Sequence, residues 1–314
     1  MIIAIDESGS FRAGSIHRSF FIAVHMRQRK TLYRLKHSQF SKWERSLPKF
    51  LKNPKGEIKS SSLSDDQLTE FAREVVYPAH SVGITPLTIR PIDNPQAVVD
   101  KHRAVNLIGI REGAKEYAAL RRPELAKTYN EFGNWLQKLS YVQYLKIFML
   151  GQCIATAMVN TVGHAITEGY NEAELPRMKF LIDRDFIKEP RPNLFWHELL
   201  RNQIYYASKE APLPILETWE TRRHPFLENY TRNGRLNFNE LFWKQCAFVP
   251  SHDHFEIRIA DAVNTIVSRY FNKCQCRNAY TLIRQCFLRD GRIQEVILND
   301  FDLVTWRYDP ADNP

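Results

Sequence analysis

Three aspartates spread along the chain, Asp6, Asp183 and Asp261, have the residue type and setting that best predict chemistry. Asp6 follows the short apolar stretch 2–5, and Asp183 follows the apolar stretch 180–182 in the same way. Asp261 stands among small apolar residues in a helical pattern. A carboxylate at the end of a buried strand costs free energy unless its charge is compensated. Since Mg²⁺ and Mn²⁺ prefer hard oxygen ligands, the three acids predict a site for one of these metals.

These acids could act together if the chain brings them to one place. If the strands that end in Asp6 and Asp183 are neighbours, both acids emerge at the same sheet edge, and a helix crossing there could bring Asp261 opposite them. Converging carboxylates can hold two metal ions about 3.5–4 Å apart, which activate water and stabilise the leaving oxygen in phosphodiester cleavage. The structural alternative is that each aspartate caps a turn or is satisfied within the core.

The elements that must position these residues follow from the apolar pattern and its breaks. Strands are predicted over 2–6, 20–24, 84–90, 179–183, 215–219 and 246–250. Helices are predicted in the centre of 27–55, over 64–77, as two or three between 96 and 168, over 194–206 and over 255–270. Ser64 opens the second of these helices with a capping box, and Pro86 favours an edge position for its strand.

This order of elements predicts one mixed α/β domain that is interrupted by helices. The core would comprise residues 1–95 and 176–314, including a C-terminal arm. An all-helical insertion would occupy 96–175, with the chain re-entering the core through 169–176. The apolar insertion could also form the face of a homodimer.

Composition favours a folded protein with a polyanionic partner. Lys and Arg outnumber Asp and Glu by 44 to 35, a net charge of +9, which favours nucleic acid over a surface tuned only for solubility. No apolar run approaches the ~20 residues of a membrane span, and the N-terminus lacks the pattern of a signal peptide. The five cysteines are widely spread, as expected for free thiols in a reducing compartment. We therefore expect a cytoplasmic protein without a membrane segment.

The segment 27–55 is densely basic, with aromatic residues interleaved at Tyr33, Phe40, Trp43 and Phe50. One interpretation is a groove that attracts a phosphate backbone and stacks bases on these rings. The other is a solvated helix whose aromatic side chains pack inward. The sequence leaves both open.

Several short motifs also resemble those of a large prokaryotic family, a domain of unknown function with a ribonuclease H-like fold. Residues 5–9, Ile-Asp-Glu-Ser-Gly, resemble the family's N-terminal motif, and 181–183 resemble its mid-chain strand ending in Asp. Ser251 and residues 259–261 are similar to its late turn and helix, and residues 56–60 to its Glu-x-Lys element. The resemblance implies a ribonuclease H-like mixed sheet flanked by helices, a two-metal carboxylate site and nuclease activity. Members of the family occur near mobile elements and phage defence.

The resemblance also implies a role for each residue. Asp6 and Asp183 would be the central metal ligands, and Asp261 would complete the shell of one ion. Glu57 could ligate the second ion or simply pair with Lys59, and Lys59 could contact the scissile phosphate as a point charge. The predicted catalytic residues are Asp6, Asp183, Asp261, Glu57 and Lys59, and the four acids among them are the predicted metal ligands.

Two acids that are close in sequence to the predicted metal ligands, Glu7 and Asp185, are not counted among those ligands. Glu7 is adjacent to Asp6 on a strand, so its side chain should point to the opposite face. Asp185 lies two residues after Asp183 and could share its face, but a loop position is favoured.

The leading hypothesis is thus a nuclease dependent on Mg²⁺ or Mn²⁺. The alternative is a basic nucleic-acid-binding or assembly protein without catalysis, in which the acids are structural. The substrate could be DNA, RNA or a hybrid, and cleavage could be internal or terminal. Ions bound by Asp6 and Asp183 would favour the enzyme, whereas a salt bridge from Asp6 to Lys or Arg would favour the alternative.

Overall fold

The computed structural model describes residues 1–53, 57–77, 82–167, 178–184, 231–232, 235–236, 246–288, 292–298 and 304–308. The strands in this part of the chain are β1 (Ile2–Ser8), β2 (Ser19–Met26), β3 (Val82–Ile89), β4 (Lys179–Asp183), β5 (Thr231–Arg232), β6 (Arg235–Leu236), β7 (Cys246–Val249), β8 (Gln294–Leu298) and β9 (Val304–Tyr308). The α-helices are α1 (Lys30–Ser46), α2 (Asp65–Phe71), α3 (Gln96–Ala119), α4 (Pro123–Lys138), α5 (Tyr141–Thr167), α6 (Phe255–Lys273) and α7 (Arg277–Arg284).

Seven of these strands form one mixed sheet in the order β7-β4-β1-β2-β3-β8-β9. Strand β1 pairs antiparallel with β2 and parallel with β4, and β4 pairs parallel with β7. Strand β3 pairs parallel with β8, which pairs antiparallel with β9. The predicted α/β class, a mixed sheet flanked by helices, is confirmed, and so is the predicted neighbourhood of β1 and β4.

Strand β1 is apolar on both faces of the sheet because helices cover both sides. Ile2 and Ala4 belong to the hydrophobic core formed with α1, α2, α6 and α7. Ile3 and Ile5 are equally buried and point to the other face. The alternation then continues to Asp6, which faces the same helices as Ile2 and Ala4.

The chain divides into two compact units. The first comprises Met1–Ser8, Phe20–Pro86 and Gly151–Ile293, and the second comprises Gly9–Ser19, Leu87–Leu150 and Gln294–Pro314. The residues predicted to carry chemistry all belong to the first unit. The second unit contains α3 and α4, and α3, α4 and α5 confirm the helical pattern predicted between 96 and 168. The limits of the insertion, 96–175, stay a prediction.

Pro86 does not mark an edge strand, so this prediction was wrong. Strand β3 lies between β2 and β8 inside the sheet. On its β8 side, an isolated bridge joins Ile84 to Phe287, and the regular ladder begins only at Leu87. Pro86 falls between these two stretches, so the absence of its backbone N–H donor breaks no regular pairing on the β8 side.

Helix α1 confirms the helix predicted before Pro48. For most aromatic side chains of the basic segment, the burial in α1 also shows whether they line a groove or pack inward. Phe40 and Trp43 are buried, and Trp43 packs against Phe71 with ring centroids 4.9 Å apart. Tyr33 packs on Phe255 of α6. Phe40 and Trp43 belong to the core and cannot stack on bases, so the groove interpretation was wrong for these two rings, while Tyr33 is partly buried against the same core.

One described helix, over Tyr141–His164 in α5, is long and apolar enough to cross a bilayer, and most of it is buried within the protein. The expectation that no apolar stretch approaches that length was therefore wrong. All five cysteines are free thiols, as expected. The helix predicted over 194–206, the strand over 215–219, the re-entry segment 169–176 and Asp185 lie outside the described residues.

Candidate active site

Asp6 and Asp183 stand side by side where the ladder between two parallel strands ends, although β1 itself continues to Ser8 rather than ending at Asp6. The ladder between β1 and β4 pairs Ile5 with Ile182, and each acid is the next residue of its strand. Adjacent strands lie about 4.8 Å apart, and paired positions of parallel strands point to the same face. Both acids are 8% exposed. The prediction that these two carboxylates emerge together is confirmed by the register.

Asp261 approaches from helix α6, which packs across β1 and β4. The flanking residues Ala260, Ala262 and Val263 are buried, and their small size lets the helix backbone lie close to the sheet. Asp261 Oδ2 accepts a hydrogen bond from the backbone N–H of Ser60 at 3.2 Å, and its carbonyl oxygen accepts one from Ser60 Oγ at 3.1 Å. The helix is thereby tied to the segment that carries Glu57 and Lys59.

A hydrogen-bonded chain links Asp6 to the same helix. Asn264 Nδ2 donates to Asp6 Oδ2 at 3.2 Å, and Ser8 Oγ donates to Asn264 Oδ1 at 2.6 Å. Asn264 is only 1% exposed, and it lies one helical turn after Asp261. Neither Asn264 nor Ser8 was predicted from the sequence. The available signal was periodicity, because Ser8 shares a strand face with Asp6 and Asn264 shares a helix face with Asp261.

Glu57 and Lys59 form the ion pair that was one of the two predicted alternatives for Glu57. Lys59 Nζ lies 3.3 Å from Glu57 Oε1, and Asn53 Nδ2 donates to Glu57 Oε2 at 3.2 Å. An antiparallel bridge between Lys52 and Ile58 holds the segment in place. Glu57 is buried, whereas the Lys59 side chain is 46% exposed. Lys59 therefore presents a positive charge to solvent at the border of the acid cluster.

Burial and the charges of neighbouring groups shift the pKa values of the acids in the cluster. Burial raises the pKa of Asp6 well above its usual range, and the charges of Asp261, Glu7 and Asp183 raise it further, while the hydrogen bond from Asn264 opposes this. Burial also raises the pKa of Asp261, against the hydrogen bonds from Ser60 and the charge of Lys59. The acids thus form a buried, mutually repelling cluster that favours a cation.

Glu57 and Lys59 shift in the opposite sense because they are paired. Burial would raise the pKa of Glu57, but a hydrogen bond from Ser251 and the charge of Lys59 lower it below the usual value. Burial would lower the pKa of Lys59, but the charges of Glu57, Asp261 and Asp183 raise it. Lys59 therefore stays protonated and compensates only part of the charge of the cluster.

The donor set fits a hard divalent cation in its chemistry, since it consists of carboxylate oxygens. In the described ranges, however, no group of three or more His, Cys, Asp or Glu side chains converges as ligands of one ion. Asp6 bonds to Asn264, Asp261 to Ser60, and Glu57 to its lysine. Binding a metal through three of these acids requires the side chains to leave some of these partners.

The remaining acids take the places predicted for them, as far as the structure describes them. Strand β1 continues through Ser8, so Glu7 lies on the face opposite to Asp6. Within the described residues, the hydrogen-bond partner of Asp6 is the neutral amide of Asn264 rather than Lys or Arg. The salt bridge that would have favoured a purely structural role for Asp6 is thus not seen in this part of the chain.

No known protein family, curated protein or solved structure matches this chain.

Proposed function

We propose that this protein is a metal-dependent nuclease that hydrolyses phosphodiester bonds at the acid cluster of Asp6, Asp183 and Asp261. The observation that carries the proposal is the register of β1 and β4. It sets two carboxylates side by side on one face of the sheet, directly under the helix that bears the third. Three acids from distant parts of the chain, two of them buried and one half-buried, are costly to bring together, which supports a functional reason for doing so.

We also propose that the core is ribonuclease H-like. In support, β1 pairs antiparallel with β2, and two parallel strands, β4 and β7, follow on the other side of β1. The order β7-β4-β1-β2-β3 is the arrangement expected of such a core. The N-terminal motif at residues 5–9, which resembles the prokaryotic family described above, has its aspartate in the central one of these five strands, two residues before that strand ends.

The residues that would hold Mg²⁺ or Mn²⁺ are Asp6, Asp183, Asp261 and Glu57. When bound, such ions activate water and stabilise the leaving oxygen of a phosphodiester. Asn264 fixes the carboxylate of Asp6 through a hydrogen bond, and Ser60 fixes that of Asp261. Lys59 supplies a partly exposed positive charge that can bind the substrate phosphate.

The overall charge supports nucleic acid as the substrate. A net charge of +9 attracts a polyanion and speeds its encounter with the protein. Asp6, Asp183 and Glu57 are buried and Asp261 is half-buried, whereas the Lys59 side chain is 46% exposed. A polyanionic backbone that approaches the border of the cluster can thus meet the positive charge of Lys59 there.

A second candidate function, nucleic-acid binding without catalysis, is favoured by one observation. Three of the acids already have protein partners, namely Asn264 for Asp6, Ser60 for Asp261 and Lys59 for Glu57. Under this alternative, Asp6→Asn leaves every property except local stability unchanged.

The test is a cleavage panel with labelled single-stranded DNA, single-stranded RNA, duplex DNA and an RNA–DNA hybrid, each with Mg²⁺, Mn²⁺ or chelator. We expect cleavage only with metal, and at least about 100-fold slower cleavage for Asp6→Asn and Asp183→Asn. Asp66→Asn is the matched control, since Asp66 is an exposed acid of α2 away from the cluster. Equal cleavage by Asp6→Asn and the wild type, or none by either with full nucleic-acid binding, would reject the enzyme.

A further inference from the structure

Phe50 differs from every other ring of the basic segment because it points into solvent. It is 84% exposed, more than any other large apolar side chain of the described residues. Phe40 and Trp43, ten and seven residues earlier in the sequence, are 2% and 3% exposed. Removing a phenyl ring from water normally stabilises a fold, so a ring left outside is available for a ligand.

The exposed ring is held on an ordered turn. Phe50 is the central residue of a 3-10 turn, Lys49–Leu51, which follows Pro48. Leu51 N–H donates to Pro48 C=O at 3.1 Å, and Lys52 N–H donates to Lys49 C=O at 3.1 Å. The next residue, Leu51, packs against the hydrophobic core. The backbone therefore fixes the position from which the ring projects.

The turn is joined directly to the acid cluster. Lys52, two residues after Phe50, forms an antiparallel bridge with Ile58. Asn53 and Glu57 are bonded to each other through backbone and side chain, with Asn53 N–H donating to Glu57 C=O at 2.8 Å. The same short structure thus carries the exposed ring at one end and the Glu57 carboxylate at the other.

Positive charges accompany the ring. Lys49 adjoins it and is exposed, Lys52 is half-buried, and Lys59 presents its ammonium group beside Glu57. An aromatic face flanked by lysines is the arrangement that binds single-stranded nucleic acids, where bases stack on the ring and phosphates contact the cations. A base inside a duplex has no free face to offer such a ring.

We propose that Phe50 is a stacking site for an unpaired base, and that the substrate of the neighbouring acid cluster is single-stranded nucleic acid or an unpaired end. The identification of this ligand as a substrate rests on the proposed nuclease function. The stacking itself does not, because it needs neither the acids nor a metal ion. Lys49 and Lys52 contribute contacts to the phosphates on either side of the stacked base.

The experiment measures binding in the presence of a chelator, so that cleavage plays no part. The probes are a fluorescein-labelled 20-nucleotide oligo(dT), the corresponding oligo(U), and a blunt 20-base-pair duplex, titrated with the full-length protein and followed by fluorescence anisotropy. Phe50→Leu keeps an apolar side chain and removes the ring, whereas Phe50→Trp keeps an aromatic face. Leu120→Ala, at an exposed apolar residue that follows α3, is the control for loss of exposed apolar surface.

We expect Phe50→Leu to weaken binding of the single strands by about 5- to 100-fold, since stacking of one base contributes about 1–3 kcal/mol. Phe50→Trp should bind as well as the wild type or better, and Leu120→Ala should bind like the wild type. Binding of the duplex should change by less than about twofold in every variant. Circular dichroism melting curves confirm that each variant is folded.

Two results overturn the inference. One is equal single-strand affinity of Phe50→Leu and the wild type, and the other is an equal loss of duplex binding, which would mean that the ring supports the fold or binds a different partner. Failure of the nuclease proposal looks different. In that case Phe50→Leu still weakens binding of the single strands in chelator, while Asp6→Asn and the wild type behave alike in the cleavage panel.

Discussion

Two buried polar clusters lie on opposite faces of the β1–β2 ladder, and they differ in charge and in the partners of their polar groups. At one end, Asp6 pairs across the ladder with Ile22 and faces helix α6. Toward the other end, His25 pairs with Ile3 and faces away from that helix. Both side chains are less than a tenth exposed. Burial alone therefore does not distinguish the proposed active site from a polar part of the core.

The His25 cluster is neutral and its hydrogen bonds are satisfied. The imidazole Nε2 lies 2.9 Å from Thr85 Oγ1, and Nδ1 lies 2.6 Å from Thr161 Oγ1. Asn160 Nδ2 donates to the same Thr85 hydroxyl at 3.2 Å. Burial and the neighbouring His164 lower the pKa of His25 to about 3, so the ring stays neutral at physiological pH. Such a satisfied network specifies the packing of α5 on the sheet.

The Asp6 cluster has the opposite character. Burial raises the pKa of Asp6, and Asp261, Glu7 and Asp183 raise it further because like charges repel. Within the described residues, Asp6 accepts a hydrogen bond from the amide of Asn264. Buried acids that repel one another cost stability unless a cation compensates their charge. The contrast favours a binding role for the acid cluster and a structural role for the histidine, and each side of it can be tested.

The largest expected effect is acid destabilisation through His25. A histidine whose folded pKa is lowered favours the neutral form, so its contribution is complete above pH 6.5 and is lost as pH falls towards 3. Lowering the pH from 7 to 4 should cost about 3 kcal/mol of unfolding free energy through this residue. The measurement is urea unfolding at a series of pH values.

The control for this effect is His25→Gln, which can still form hydrogen bonds but cannot be protonated in this range. Between pH 7 and pH 4, this variant should lose about 3 kcal/mol less unfolding free energy than the wild type. His102, whose pKa burial lowers to about 4, contributes with the same sign in both proteins and cancels in the difference. Parallel pH profiles of the two proteins would contradict the structural role assigned to His25.

The second prediction concerns the amide that positions the acid cluster. Asn264→Ala removes the hydrogen bond to Asp6 without replacing any of the predicted metal ligands. Partners of metal ligands typically contribute 10–100-fold in affinity, so we expect Mn²⁺ to bind about 10–100-fold more weakly. Isothermal titration with MnCl₂ measures this directly.

Asn272→Ala is the matched control for this variant, because Asn272 lies further along the same helix and donates to Ser268 Oγ. It should bind Mn²⁺ as the wild type does. Unchanged Mn²⁺ affinity of Asn264→Ala, in a wild-type protein that binds the ion, would show that Asn264 does not position a ligand.

The sequence predicted the parts of this site that depend on local pattern. Apolar runs ending in acids located β1 and β4, and the spacing of small residues in α6 indicated a helix that packs closely on a sheet. Asn264 escaped prediction because its importance depends on which helix face meets β1, a long-range fact. Phe40 and Phe50 look alike in the sequence, and only tertiary packing buries one and exposes the other.

Pro86 illustrates the same limit from the side of the fold. Its missing N–H donor led to the predicted edge position, which was wrong, because the sequence could not show that on the β8 side the pairing is interrupted at this point. The place of Pro86 in the sheet thus depends on segments about 200 residues away in the chain, around Phe287 and Gln294, which no local rule can predict.

The smallest expected effect is a gain in stability, and it separates the two candidate functions most cleanly. Asp6→Asn preserves the shape of the side chain and an oxygen that can accept from Asn264, but it removes one charge from a repelling cluster. In chelator at pH 7, this variant should therefore be more stable than the wild type by roughly 1 kcal/mol, measured by urea unfolding. Asp66→Asn should lie within about 0.5 kcal/mol of the wild type. A loss of stability for Asp6→Asn would mean that the acid is held for the fold, as a non-catalytic protein requires, because sites kept for function are expected to cost stability until their ligand binds.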